Sequence, residues 1–140
     1  MAEPLTVADV MSRDPETVGP NDQLLEAERL MNDHRFRHVP VVDDDELVVG
    51  VLSQRDLFHS ALLKCVGYGE HGVTKLLDMF LVKEAMKTDV VSVTPDAPLS
   101  SAAELMLERK LGCLPVLTAT VFVGILTESD FVKLASNRND

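Results

Sequence analysis

An internal repeat constrains this 140-residue chain more than any other feature. Aligning Met11 with Met86, an offset of 75, brings Val18 onto Val93, Pro20 onto Pro95 and Leu24 onto Leu99 without gaps. Ala27 then meets Ala102, Leu30 meets Leu105, Met31 meets Met106 and Pro40 meets Pro115. Past the proline the offset becomes 74, pairing Gly50 with Gly124, Leu52 with Leu126 and Asp56 with Asp130. One residue deleted from a turn explains the change. Isolated apolar coincidences are common, but Pro, Gly and Asp repeating in the same order indicate duplication.

Each copy predicts the same succession of elements. A short β-prone stretch (Glu16 to Val18; Val90 to Val93) runs into a proline, and Asn21 or Asp96 then offers a side-chain oxygen as a helix N-cap. Leu24, Ala27, Leu30 and Met31 fall on one helical face, as do Leu99, Ala102, Leu105 and Met106. Gly112 supplies a stop for the second helix, where the first copy has Arg37. Two apolar runs then form a hairpin, turned at Asp43 to Asp45 in one copy and Thr118 to Thr120 in the other. A last helix begins after Ser53 or Thr127.

The expected fold is therefore α/β: two β-α-β-β-α repeats, packed face to face with pseudo-two-fold symmetry. A unit of about fifty residues is marginal alone, so two would complete one core. The expected boundaries are 1–58 for the first repeat, 59–81 for a linker and 82–140 for the second. The linker reads as a loop with Gly67, Gly69 and Gly72, followed by a helix around Val73 to Phe80 whose apolar residues pack on the module or at a subunit interface.

Composition narrows the function classes. The net charge is -10. That is a poor footprint for a nucleic-acid binder and disfavours an anionic membrane surface. No apolar run approaches the roughly 20 residues of a membrane span, and the first residues lack a signal-peptide pattern. The expectation is a soluble, cytoplasmic protein. Cys65 and Cys113 have no metal-like spacing and are expected to be reduced thiols.

In Gly50-Val-Leu-Ser-Gln-Arg-Asp56 and Gly124-Ile-Leu-Thr-Glu-Ser-Asp130 a hydroxyl closes a strand and an Asp follows three positions later. One reading is a helix cap in which the Asp reaches back as in a capping box. The other is a ribose site, since a carboxylate offers two acceptors to the two donors of a cis-diol. The segment His34-Arg-Phe-Arg-His38 stands out as a basic cluster in an acidic chain. Arg35, Arg37 and His38 either bind phosphate or merely complement a helix C-terminus. Lys110 is the lesser counterpart in the second copy. His34 and His38 lack a third ligand of matching spacing, so no metal is expected. The acidic run Asp43 to Glu46 reads as a solvated turn rather than a Mg²⁺ site, and Met31 and Met106 as core. No phosphate loop, nucleophile elbow or HExxH occurs, and an enzyme is not expected.

Two copies of hydrophobic–x–Pro–Asp/Asn…Pro-Val…Gly-hydrophobic-Leu-Ser/Thr-x-x-Asp resemble a pair of cystathionine-β-synthase (CBS) domains, a Bateman module, from about Val7 to Ala135. The resemblance implies a regulatory module that senses an adenine nucleotide (AMP, ADP or ATP), S-adenosylmethionine or NAD, and signals to a partner. It implies no required cofactor, and a homodimer. By position it implies Asp56 and Asp130 as ribose ligands, with Ser53 and Thr127 beside ribose or phosphate. Val18, Val93, Val39, Pro40, Leu114 and Pro115 would line adenine. The alternative is an interaction or dimerisation module whose clefts are empty.

Overall fold

A computed structural model describes residues 5–64 and 77–136. Cys65 and the first half of the expected linker helix lie outside the described residues. The elements run α1 (Val7–Val10), β1 (Ser12–Arg13), α2 (Leu24–His34), β2 (His38–Val42), β3 (Val48–Ser53), α3 (Gln54–Lys64), a 3₁₀ turn (Val82–Glu84), α4 (Leu99–Arg109), β4 (Cys113–Thr118), β5 (Val121–Thr127) and α5 (Glu128–Ala135). The mixed α/β succession and the two antiparallel hairpins follow the repeat. β2 pairs with β3, while β4 pairs with β5, which carries β1 on its other edge. The β-prone stretches before each proline contribute one parallel bridge each, Val18 to Val41 and Val93 to Val116.

Packing cuts across the duplication. One compact unit is Glu16–Val90; the other joins Met1–Pro15 to Val91–Asp140. The segment that opens each repeat is built into the unit holding the other repeat's helix and hairpin. In the split unit, Val7 N–H donates to the Ala97 carbonyl at 2.9 Å and Leu99 N–H to that of Leu5 at 2.9 Å. In the continuous unit, Val82 N–H donates to the Asp22 carbonyl and Leu24 N–H to that of Phe80, both at 2.8 Å. Each unit has its own core. Val18, Leu24, Ala27, Met31, Val39, Val41, Leu52 and Leu57 close over Leu77 and Val82 in one. Leu99, Ala102, Met106, Leu114, Val116 and Leu126 close over Val7 and Met11 in the other.

These contacts correct two local expectations. Asn21 and Asp96 are not the helix caps: α2 and α4 start later, after Gln23 and Pro98, with no side-chain cap bond. The first N–H of each helix finds a carbonyl of the docked segment instead, which satisfies one of the orphan donors of a helix start. At the other end, neither Gly112 nor Arg37 stops the helix. Arg35 and Lys110 do, in the left-handed conformation at φ 58° and 56°, donating to the carbonyls of Met31 and Met106. The repeat thus holds a turn that its glycine content conceals.

Candidate functional site

The β2–β3 register sets His38 opposite Ser53 and Pro40 opposite Val51. Gln54 N–H donates to the Arg37 carbonyl at 2.8 Å, tying the start of α3 to the basic segment. The end of the cluster, the Ser53 hydroxyl and Asp56 are therefore held at one end of one hairpin. Arg35 and Arg37 are exposed, and His34 stacks on Phe36 with ring centroids 5.3 Å apart. β4 and β5 repeat the arrangement with Cys113 opposite Thr127, and Lys110 is exposed.

The two Ser/Thr-x-x-Asp motifs differ sharply. Asp130 is only 6% exposed, and both of its oxygens are engaged. One accepts the Thr127 N–H at 2.9 Å and the Thr127 hydroxyl at 3.2 Å; the other accepts the Ser12 hydroxyl at 3.1 Å. This is the capping arrangement with a tertiary clasp added. In the first copy, the Ser53 hydroxyl accepts the Asp56 N–H at 3.0 Å, but among the described residues the Asp56 carboxylate takes no hydrogen bond. Asp56 is half-buried. A carboxylate in that setting has acceptors to spare.

The position matching Ser12 explains the difference. Ser12 pairs with Ile125 on β5, and Lys87 pairs with Val51 at the same place on β3. Where a hydroxyl closes over Asp130, the first copy's hairpin has Lys87 at the matching position, paired through its backbone with Val51. Neither Ser12 nor Lys87 was among the residues expected at a site. The repeat carries the signal as a mismatch: at the offset of 75, Ser12 falls on Lys87.

The residues expected to line adenine are distributed between core and backbone. Val39 and Leu114 are fully buried in the two cores, and Pro40 and Pro115 are fully buried as well. Val18 is 7% exposed and Val93 half-buried. The bridges place their backbones beside the prolines, with Val18 N–H donating to the Pro40 carbonyl and Val93 N–H to that of Pro115. Backbone groups and strand edges are thus what these segments present, more than side-chain surface. No group of three His, Cys, Asp or Glu side chains suited to a metal occurs among the described residues. Nor does any helix there have the length and apolar character to cross a membrane.

Comparison with known proteins bears on this geometry. A CBS domain family model matches residues 7–62 and again 82–137. The chain is 33% identical over 125 residues to the CBS domain-containing protein YhcV of Bacillus subtilis (strain 168), covering 89% of this chain and 81% of that one. It also matches a homoserine O-acetyltransferase of Methanohalobium evestigatum at 29% identity, but spans only 24% of that protein's length. Among solved structures, AcuB from Vibrio cholerae superposes with a TM-score of 0.82 at 39% identity, over 96% of this chain and 93% of that one. CBSX2, solved in complex with AMP, superposes with a TM-score of 0.76 at 28% identity, over 94% and 96%.

Proposed function

We propose, from the premise that this chain belongs to the CBS-domain family, that it is a regulatory module which binds an adenosine-containing nucleotide and passes its occupancy to a protein partner. The likeness to CBSX2, a protein solved with AMP, over almost the whole of both chains carries this reading. The unclasped Asp56 beside Ser53 supports it. Asp56 would take the ribose hydroxyls, and Arg35, Arg37 and His38 the phosphate. Val18, Val39 and Pro40 would border the base. In the second copy, Val93, Leu114, Pro115, Lys110, Thr127 and Asp130 would form the corresponding site. There, ligand binding must first release Asp130 from Ser12, so the first copy is favoured. AMP leads the ligands, with ADP, ATP, S-adenosylmethionine and NAD behind it.

We read the protein as cytoplasmic and homodimeric. Apolar residues exposed on the helices that close the repeats, Phe58 on α3 and Val132 and Leu134 on α5, offer surface for a two-fold contact. Light scattering that returns the 15.4 kDa mass of one chain at micromolar concentration would remove the dimer.

A thermal-shift panel of the five ligands tests the function. At 100 times its dissociation constant a ligand adds about 2.7 kcal/mol, a rise of roughly 5–11 °C for a chain of this size. No rise with any of them at millimolar concentration would favour the second reading, an interaction module with empty clefts. The clasped state of Asp130 is the observation behind that reading.

A further inference from the structure

The mismatch at the clasp position carries an inference that rests on the nucleotide reading and sharpens it. Lys87 and Val51 exchange both backbone hydrogen bonds, each 3.0 Å. Directly opposed residues of an antiparallel pair project to the same face, and so do residues two apart along a strand. Lys87 therefore leaves β3 on the face shared by Val51 and Ser53. This is the geometry by which Ser12, opposite Ile125, reaches Asp130 beside Thr127. Yet Lys87 is exposed, and no carboxylate lies within ion-pair distance of it among the described residues. A short hydroxyl in this place closes the aspartate. Lys87 has no such hydroxyl in this place, and it brings a positive charge on a long stem to the same strand face.

We propose that Lys87 is the specificity-determining residue of the Asp56 site, selecting a phosphorylated nucleoside over a neutral or cationic one. Asp56 repels an anion, so a site holding ribose on this carboxylate needs a cation to accept phosphate as well. Lys87, with Arg37 at the same hairpin end, provides that balance. The same substitution that leaves Asp56 unclasped thus supplies the charge that decides which ligand enters.

Calorimetry on the full chain with AMP and adenosine decides the matter. The wild type should prefer AMP. Lys87→Ala should weaken AMP by about 10–100-fold, the worth of one charge-assisted contact, and leave adenosine within about twofold. Lys87→Arg should keep the preference. Lys87→Ser introduces the clasping hydroxyl and should weaken both ligands together. Equal losses for AMP and adenosine in Lys87→Ala, or none for AMP, would overturn the assignment while leaving nucleotide binding intact. A wild type that binds neither compound overturns the nucleotide reading, and the role of Lys87 falls with it.

Discussion

At Asp130 a nearly buried carboxylate accepts three hydrogen bonds, from Thr127 twice and from Ser12 once. Removing it leaves the part-buried Thr127 N–H without its acceptor. Asp130→Ala should therefore cost about 1–3 kcal/mol in urea denaturation. Asp56→Ala removes a carboxylate with no comparable partners and should stay within about 0.5 kcal/mol, while abolishing ribose recognition. Equal destabilisation by the two variants would mean that Asp56 is as structural as its counterpart. Cys113, opposite Thr127, is a second residue whose setting rules its chemistry. Burial, with the Glu128 charge adding to it, pushes its thiol up to about 12. From an ordinary value near 9.0, the thiolate fraction at pH 8 falls about a thousandfold. Alkylation of Cys113 followed by mass spectrometry should be slow in the native protein and rapid in denaturant. The folded state disfavours this thiolate, so its contribution to stability is whole below pH 9.0 and is lost as pH climbs toward 12. Cys113→Ala should flatten that alkaline decline.

Among the elements, the hairpins were the most legible, because short, Val-rich apolar runs on either side of a turn favour paired strands. The glycine in each hairpin was legible as a repeat feature, but its reason is tertiary. A Cβ on Gly50 would sit 2.6 Å from the Met86 sulfur and 2.9 Å from the Lys87 carbonyl. On Gly124 it would sit 2.7 Å from the Ser12 carbonyl and 2.9 Å from the Met11 sulfur. A methionine thioether can yield; a paired backbone carbonyl cannot without breaking the bridge. Gly50→Ala and Gly124→Ala should each cost about 1–3 kcal/mol, and adding Met86→Ala or Met11→Ala should not restore the loss. Thermal denaturation of the four variants checks this. The helix ends were less legible. A window that sees only neighbours expects Asn21 to cap, whereas the donor it would satisfy already has the Phe80 carbonyl, far away in sequence.

For the whole molecule the decisive feature is the exchange of opening segments between the repeats. Val7 and Val82 occupy matching places in the duplication, and both are fully buried. Val7 belongs in sequence to the first repeat but in packing to the core of α4, β4 and β5. Val82 belongs to the second repeat but packs with α2, β2 and β3. Truncating either to Ala should cost about 2 kcal/mol, and the loss should appear in the opposite repeat. Hydrogen exchange should show Val7→Ala speeding the amides of α4 and β5, and Val82→Ala those of α2 and β3, by at least about tenfold. Acceleration confined to the repeat that carries the substitution would contradict the exchange.

The duplication was determined by the sequence alone, because residue types repeat in the same order at a near-constant offset; so were the apolar periodicity of the helices, the hairpins and the paired Ser/Thr-x-x-Asp motifs, because each depends on residues within a few positions of one another. Which copy of the motif is closed was decided only by the tertiary structure. Asp56 and Asp130 have the same local pattern, and the difference between them lies in the residue that β pairing delivers from outside the hairpin. For Asp130 that residue is Ser12, 118 positions away; for Asp56 it is Lys87. The same distance hides the helix caps and the exchanged segments. A hydrogen bond between remote residues leaves no periodic trace in a chain, because the chain records only which groups could pair, and folding selects which of them do.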